Sequence, residues 1–221
     1  MKVQNPDGEW KNYPPSFSDE DKSMLQSFVE EHADVCCMRE LTPLTPHDTI
    51  CIRHDVDYSL EHAIKFARWE NDRGIHSTYF VLHTAWYYRD RIKLYGQMSL
   101  LQNYGHEVGI HLDSVNESAI DNHPHYDAAA ILLKAKLAEL RSAGFDIVGS
   151  AAHGGIYTDL ELFENRFTLD DFGLQYEAYD LQHKLNVNYI SDNRGKWRAP
   201  LVKVPGKITV MSIHPEHWPF K

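Results

Sequence analysis

The feature that most constrains this chain is the order in which short β-rich runs and helical stretches replace one another. Residues 49–53 (Thr-Ile-Cys-Ile-Arg) form a β-rich run, and residues 59–73 read as a helix stopped at Gly74. Residues 77–82 are a second strand, 90–104 a helix closed by Gly105, and 107–111 a third strand. A helix over 125–143, with Ile131, Leu132, Leu137 and Leu140 as apolar positions, stops at Gly144, and 145–148 follows as a fourth strand. The stretch 158–185 predicts a short helix and a strand, and 186–191 and 207–213 read as late strands. Strands alternating with helices of roughly 12–18 residues make βα units, hence a parallel sheet or a barrel. Periodicity alone does not separate the two.

The N-terminal part reads differently. Residues 1–17 form a polar, proline-containing arm, and Ser18-Asp19-Glu20-Asp21 opens a helix expected to run to about Cys37. Thr42-Pro43-Leu44-Thr45-Pro46 is then an extended linker. The expected division is an arm and helix over 1–48, packed on one β/α domain over 49–221.

Composition narrows the function classes. With 221 residues, 43% apolar and 24% charged, the chain can bury a core without disulfides or structural metals. Thirty-two acidic against 22 basic residues argue against sequence-independent binding to nucleic acid or to an anionic membrane. The longest dense apolar stretch, 128–133, is far short of the ~20 residues of a membrane span. The start, Met1 to Asp7, has no apolar signal region, and three cysteines without a CxxC suggest reduced thiols rather than a thiolate zinc site. A cytoplasmic protein is expected. The outlier is histidine, at 14 residues.

In β/α folds the reactive groups sit at the carboxyl ends of the strands. His54-Asp55-Val56-Asp57 follows the first strand here and His111-Leu112-Asp113 ends the third. His153-Gly154-Gly155, Asp192 and His214-Pro215 follow later ones. Residues two apart in an extended segment share a face, so Asp55 and Asp57 can point together while His54 turns away. His106 and His111, five apart, face opposite sides, and HExxH spacing is absent after His106. One carboxylate and two imidazoles make a three-ligand site suited to zinc or a similar divalent ion. A second carboxylate could take a proton from bound water, and a separate histidine could protonate a leaving amine. The alternative use of these residues is turn and cap chemistry, with Asp57 ahead of the next helix.

Five segments carry a resemblance: Arg53-His54-Asp55-Val56-Asp57, residues 74–80, residues 105–111, Ala152-His153-Gly154 and Ile213-His214-Pro215. In this order the chain resembles the polysaccharide deacetylase (NodB-homology) superfamily, in a divergent branch. The resemblance implies a distorted β/α barrel, a divalent metal ion, most simply Zn2+, and hydrolysis of an N-acyl group on a sugar. By that similarity Asp55 matches the catalytic base, Asp57 the metal-binding carboxylate, His111 the first histidine ligand and His214 the general acid. Two departures stand out. Val56 separates the two aspartates, which are adjacent in the usual motif, and Val115 occupies the position of the second histidine. His153 is the replacement ligand chosen here, because two glycines after it allow close backbone approach. His123 and His125 are its rivals.

Asp192, Arg194, Trp197 and Trp218 are expected near substrate, the tryptophans as stacking faces for a sugar ring, although each also suits a core or rim position. His62, His76, His83, His183 and His217 are expected to be structural. The leading expectation is a metal-dependent carbohydrate deacetylase acting on a cytoplasmic precursor of a surface polysaccharide. The alternatives are a manganese glycosyltransferase using Asp55-Val56-Asp57 as a DxD, and a non-catalytic carbohydrate-binding barrel.

Overall fold

In the computed structural model, which describes residues 2–4, 10–12, 16–121, 123–192 and 195–220, the sheet is built outward from one fully buried strand. Strands β1 (Lys2–Gln4) and β2 (Trp10–Asn12) form a separate antiparallel pair. Helix α1 (Asp19–Glu30) follows, with Ser18 as N-cap and Asp21 closing a capping box, an arrangement worth ~1 kcal/mol. Strand β3 (Asp34–Cys36) then pairs with β4 (Thr49–Val56). The helix expected to reach Cys37 therefore stops at Glu30. Asp34-Val35-Cys36 instead satisfies its backbone groups on the start of β4, a tertiary partner that overrides local propensity.

Next come α2 (Leu60–Asn71), β5 (Thr78–Leu82), α3 (Arg91–Asn103) and β6 (Glu107–Leu112). The short α4 (Ser114–Ser118) and α5 (Tyr126–Ser142) precede β7 (Gly149–Ala152). The chain ends through α6 (Leu160–Asn165), β8 (Tyr176–Glu177), α7 (Ala178–Lys184), β9 (Asn188–Ser191) and β10 (Thr209–Ile213). The strand order is β8-β7-β6-β5-β4-β10-β9, with β3 also on β4, and every pairing is parallel. Among the described residues β8 and β9 are not paired to each other, so the fold is a distorted β/α barrel left open at that seam. No helix among the described residues is long and apolar enough to cross a membrane.

The fourth strand lies four residues later than the sequence suggests. Phe145 and Ile147 are buried as core anchors outside any strand, while Gly149-Ser150-Ala151-Ala152 pairs with β6. Small residues are required there: a Cβ on Gly149 would sit 2.0 Å from the ring of Tyr176. Among the described residues the core has three parts. One lies between the sheet and α2, α3 and α5, one joins α1 to β4 and β10, and the third (Met38, Cys51, Phe80, Ala151, Val210) fills the barrel.

A polar cluster under β4 and β5 makes the fold acid-sensitive. Buried Glu70 accepts from His54 Nε2 (2.9 Å), Ser77 Oγ (2.7 Å) and Tyr79 OH (2.7 Å). His106 Nε2 donates to the Ala67 carbonyl (3.0 Å) and Nδ1 accepts from the Ser77 N–H (3.1 Å), the pattern of a neutral ring. Burial lowers the pKa of His106 below its ordinary 6.5. Burial would raise that of Glu70, but His54 and the hydrogen bonds outweigh it and hold it below 4.5. Both folded values are depressed, so as pH falls the unfolded chain takes up these protons first and stability drops. The loss begins below pH 6.5 through His106, joined by the similarly depressed His32, and continues below 4.5 through Glu70. Urea unfolding is expected to show a smaller loss of stability between pH 7 and 5 in His106→Gln than in the parent, because that variant lacks the His106 contribution.

Candidate metal centre

Parity places the first groups. Arg53 and Asp55 lie two apart on one face of β4, and Asp57 stands just past its end. His54 turns to the opposite face, where Glu70 holds it. His111 is near the end of β6, and His153, Asp192 and His214 immediately follow β7, β9 and β10.

Asp57, His111 and His153 come together, each offering one ligand atom within 4.8 Å of the others. Asp57 Oδ1 is 3.3 Å from His111 Nε2 and 3.9 Å from His153 Nε2, and Asp57 Oδ2 is 3.7 Å from His214 Nε2. His111 Nδ1 lies 2.7 Å from the Ala151 carbonyl, which can only accept, so that nitrogen carries the proton. With Nδ1 occupied in this way, Nε2 is the ring nitrogen turned on the Asp57 carboxylate, an arrangement that needs a proton or a cation between the two atoms. Asp57 Oδ1 is buried without a hydrogen-bond partner among the described residues. The donor set and this orphaned oxygen fit a divalent ion. Behind His153, Asp113 Oδ1 stands 3.6 Å from Nδ1, too far for a hydrogen bond but placed to orient the ring. Thr84 and Asn116 fix that carboxylate.

The flanking groups are set apart electrostatically. Burial would raise the pKa of Asp55, but Arg53, then His111 and His214, bring it down to about 2. Arg53 donates to Asp55 Oδ2 (2.8 Å), as does Ser212 Oγ (3.3 Å), and Oδ1 has no hydrogen-bond partner among the described residues. Burial would lower the pKa of His214, yet Asp192, with Asp57 and Asp55, raises it well above the ordinary value. Asp192 Oδ1 accepts from His214 Nδ1 (2.7 Å), and Oδ2 accepts from the His214 backbone N–H (2.9 Å) and from Trp218 Nε1 (3.1 Å).

The expected substrate contacts fare unevenly. Asp192 and Trp218 are 0% exposed, so neither presents a surface to a ligand. Trp218 stacks on Phe17 (4.4 Å between centroids) and belongs to the core, and Asp192 orients His214 from behind. Trp197 is half-buried against Phe17 and Trp218, and Arg194 lies outside the described residues. Val115 points into the core, and His123 and His125 are exposed and outside the cluster. Sequence reasoning missed Arg53 and Asp113 as partners, although each is two residues from a chosen residue and so shares its face. Nothing in the sequence marked Glu216, a fully buried acid beside His214.

A cavity of about 120 Å³ opens beside Asp57 and His153, walled by Tyr58, Leu82, Thr84 and Trp86. That is well under the ~300–1,000 Å³ of pockets that enclose whole ligands. A larger cavity of about 730 Å³ lies between α6 and α7 but contains none of the clustered residues. Its Tyr179 ring, 4.2 Å from the Arg53 guanidinium, is the link between them.

No family model and no curated protein matches this sequence. Among solved structures, a family 4 carbohydrate esterase from Bacillus anthracis aligns with 85% of this chain and 76% of its own, at 13% identity and a TM-score of 0.47. So remote a likeness carries no functional argument, and the function is read from the residues themselves.

Proposed function

We propose that this chain is a metal-dependent hydrolase that removes a small N-acyl group from a carbohydrate amine. One observation carries the reading: a carboxylate and two imidazoles converge between an ionised Asp55 and an Asp192-held His214. Asp57, His111 and His153 would hold the ion. When bound, it supplies Lewis acidity, lowering the pKa of water and stabilising charge on the acyl oxygen. Arg53 and Ser212 fix one oxygen of Asp55, so Oδ1 is the atom that accepts a proton from the attacking water. His214, its Nδ1 held by Asp192, presents Nε2 as the proton donor to the departing nitrogen. The small cavity suits an acyl head group, leaving the sugar to lie across the rim near exposed Trp86. All three cysteines are free, which suits a reducing compartment and a precursor sugar made there. A DxD glycosyltransferase would have no use for the two histidines beside Asp57.

The test is release of free amine and carboxylic acid from N-acetylated sugars by zinc-, cobalt- or manganese-loaded protein. Turnover lost on chelation and restored by the ion is the expected result. Ion binding and sugar binding without turnover in any form would replace this reading with a carbohydrate-binding one.

A further inference from the structure

Glu216 lies in the short turn Pro215–His217 directly after His214, and none of the steps above uses it. It is 1% exposed, and neither carboxyl oxygen has a hydrogen-bond partner on any other described residue. Its turn packs on α2 and on β4, the strand that delivers Asp57. Asp57, His214 and Asp192 are the charged groups that act on it, and Tyr87, whose hydroxyl donates to the Val56 carbonyl, feels its charge in turn. A buried acid without a partner disfavours folding, and native chains rarely keep one unless a water, ion or ligand completes it. Asp57 Oδ1, the oxygen facing both histidines, is orphaned in the same way. Among the described residues, Glu216 thus lacks a partner on both carboxyl oxygens, and Asp57 and Asp55 each lack one on Oδ1, around one candidate ion site, while Asp192 is satisfied by His214.

The geometry points to Glu216 as an outer positioning carboxylate of the ion site, its free oxygens taking hydrogen bonds from the solvent shell of a divalent ion on Asp57, His111 and His153. Glu216 is not one of the three residues whose atoms cluster closely enough to ligate directly, so its action is through that shell. The inference rests on the ion reading above.

Calorimetric titration of the metal-free full chain with Zn2+ tests it, alongside thermal melting of the same metal-free samples. Glu216→Gln keeps the shape and replaces the carboxyl by an amide. It is expected to bind Zn2+ about 10–100-fold more weakly, the usual cost of losing an outer-shell partner, while melting no lower than the parent. If Glu216→Gln does not fold, Glu216→Met, which needs no partner at all, takes its place with the same expectation. Unchanged affinity, or a lower melting temperature without metal, would overturn the inference and leave Glu216 a structural residue. A parent protein that binds no Zn2+ would instead overturn the ion reading, and this inference with it, so the two failures are told apart.

Discussion

Asp57→Ala is expected to weaken divalent-ion binding by at least ~100-fold, beyond the ~10–100-fold typical of an outer-shell loss. Asp57 is the only carboxylate of the three-residue cluster, and both histidines face its Oδ1. Removing it leaves two imidazoles, which provide no negative charge and one ligand too few for the open site of a hydrolytic metal centre. Titration of Zn2+ into the metal-free variant measures the effect, and the ion-dependent rise in melting temperature should vanish with it. His153→Ala is the companion variant. It separates this chain's ligand set from one in which a different histidine, His123 or His125, completes the site. Retained tight binding in Asp57→Ala would move the site elsewhere.

Asp192→Asn is expected to lower kcat by ~10²–10⁴ while leaving KM and Zn2+ affinity close to those of the parent. All three groups around Asp192 donate to it: His214 Nδ1, the His214 backbone N–H and Trp218 Nε1. An amide in that place turns a donor of its own toward one of them. It must either abandon the His214 ring or turn Nδ1 into an acceptor, which leaves the proton on Nε2 of a neutral ring, a far weaker acid than the imidazolium that the Asp192 charge stabilises. Because Asp192 is buried behind His214, substrate affinity gives no route for the loss. Combining Asp192→Asn with His214→Gln should cost scarcely more than His214→Gln alone, since the two act as one unit. A change in KM with kcat intact would instead make Asp192 a binding residue.

The βα alternation was legible because strands such as Ile50-Cys51-Ile52 and Tyr79-Phe80-Val81 are β-branched and aromatic, and because Gly74, Gly105 and Gly144 stop the helices. Each of these glycines has positive φ, a conformation other residues adopt only with strain. The strand Gly149-Ser150-Ala151-Ala152 was illegible, because its residues are chosen for tight packing against Tyr176 rather than for β propensity. At the site, two-residue parity was enough to turn His54 away from Asp55, onto the face where Glu70 holds it. It could not tell that Asp192 and Trp218 lie behind His214 instead of in front of it. Depth depends on how Phe17, Trp197 and Trp218 pack together, and those residues are far apart in sequence. Glu216 was hidden for a related reason: one acid in His-Pro-Glu-His has no periodicity, and only the fold buries it.

The pairing of β4 with β10 has a consequence for how the chain is made. Its register joins Ile50 to Thr209 and His54 to Ile213, so one flank of the central strand waits for a partner about 160 residues downstream. At ~5–20 residues per second, translation takes about ten to thirty seconds to supply it. During that interval Ile50, Cys51 and Ile52 present an apolar, unpaired edge of the kind that recruits other strands. Asp192 and His214 arrive in the same late stretch. The nascent chain therefore carries its candidate ion ligands well before its acid, and yield during expression should depend on how that early edge is shielded.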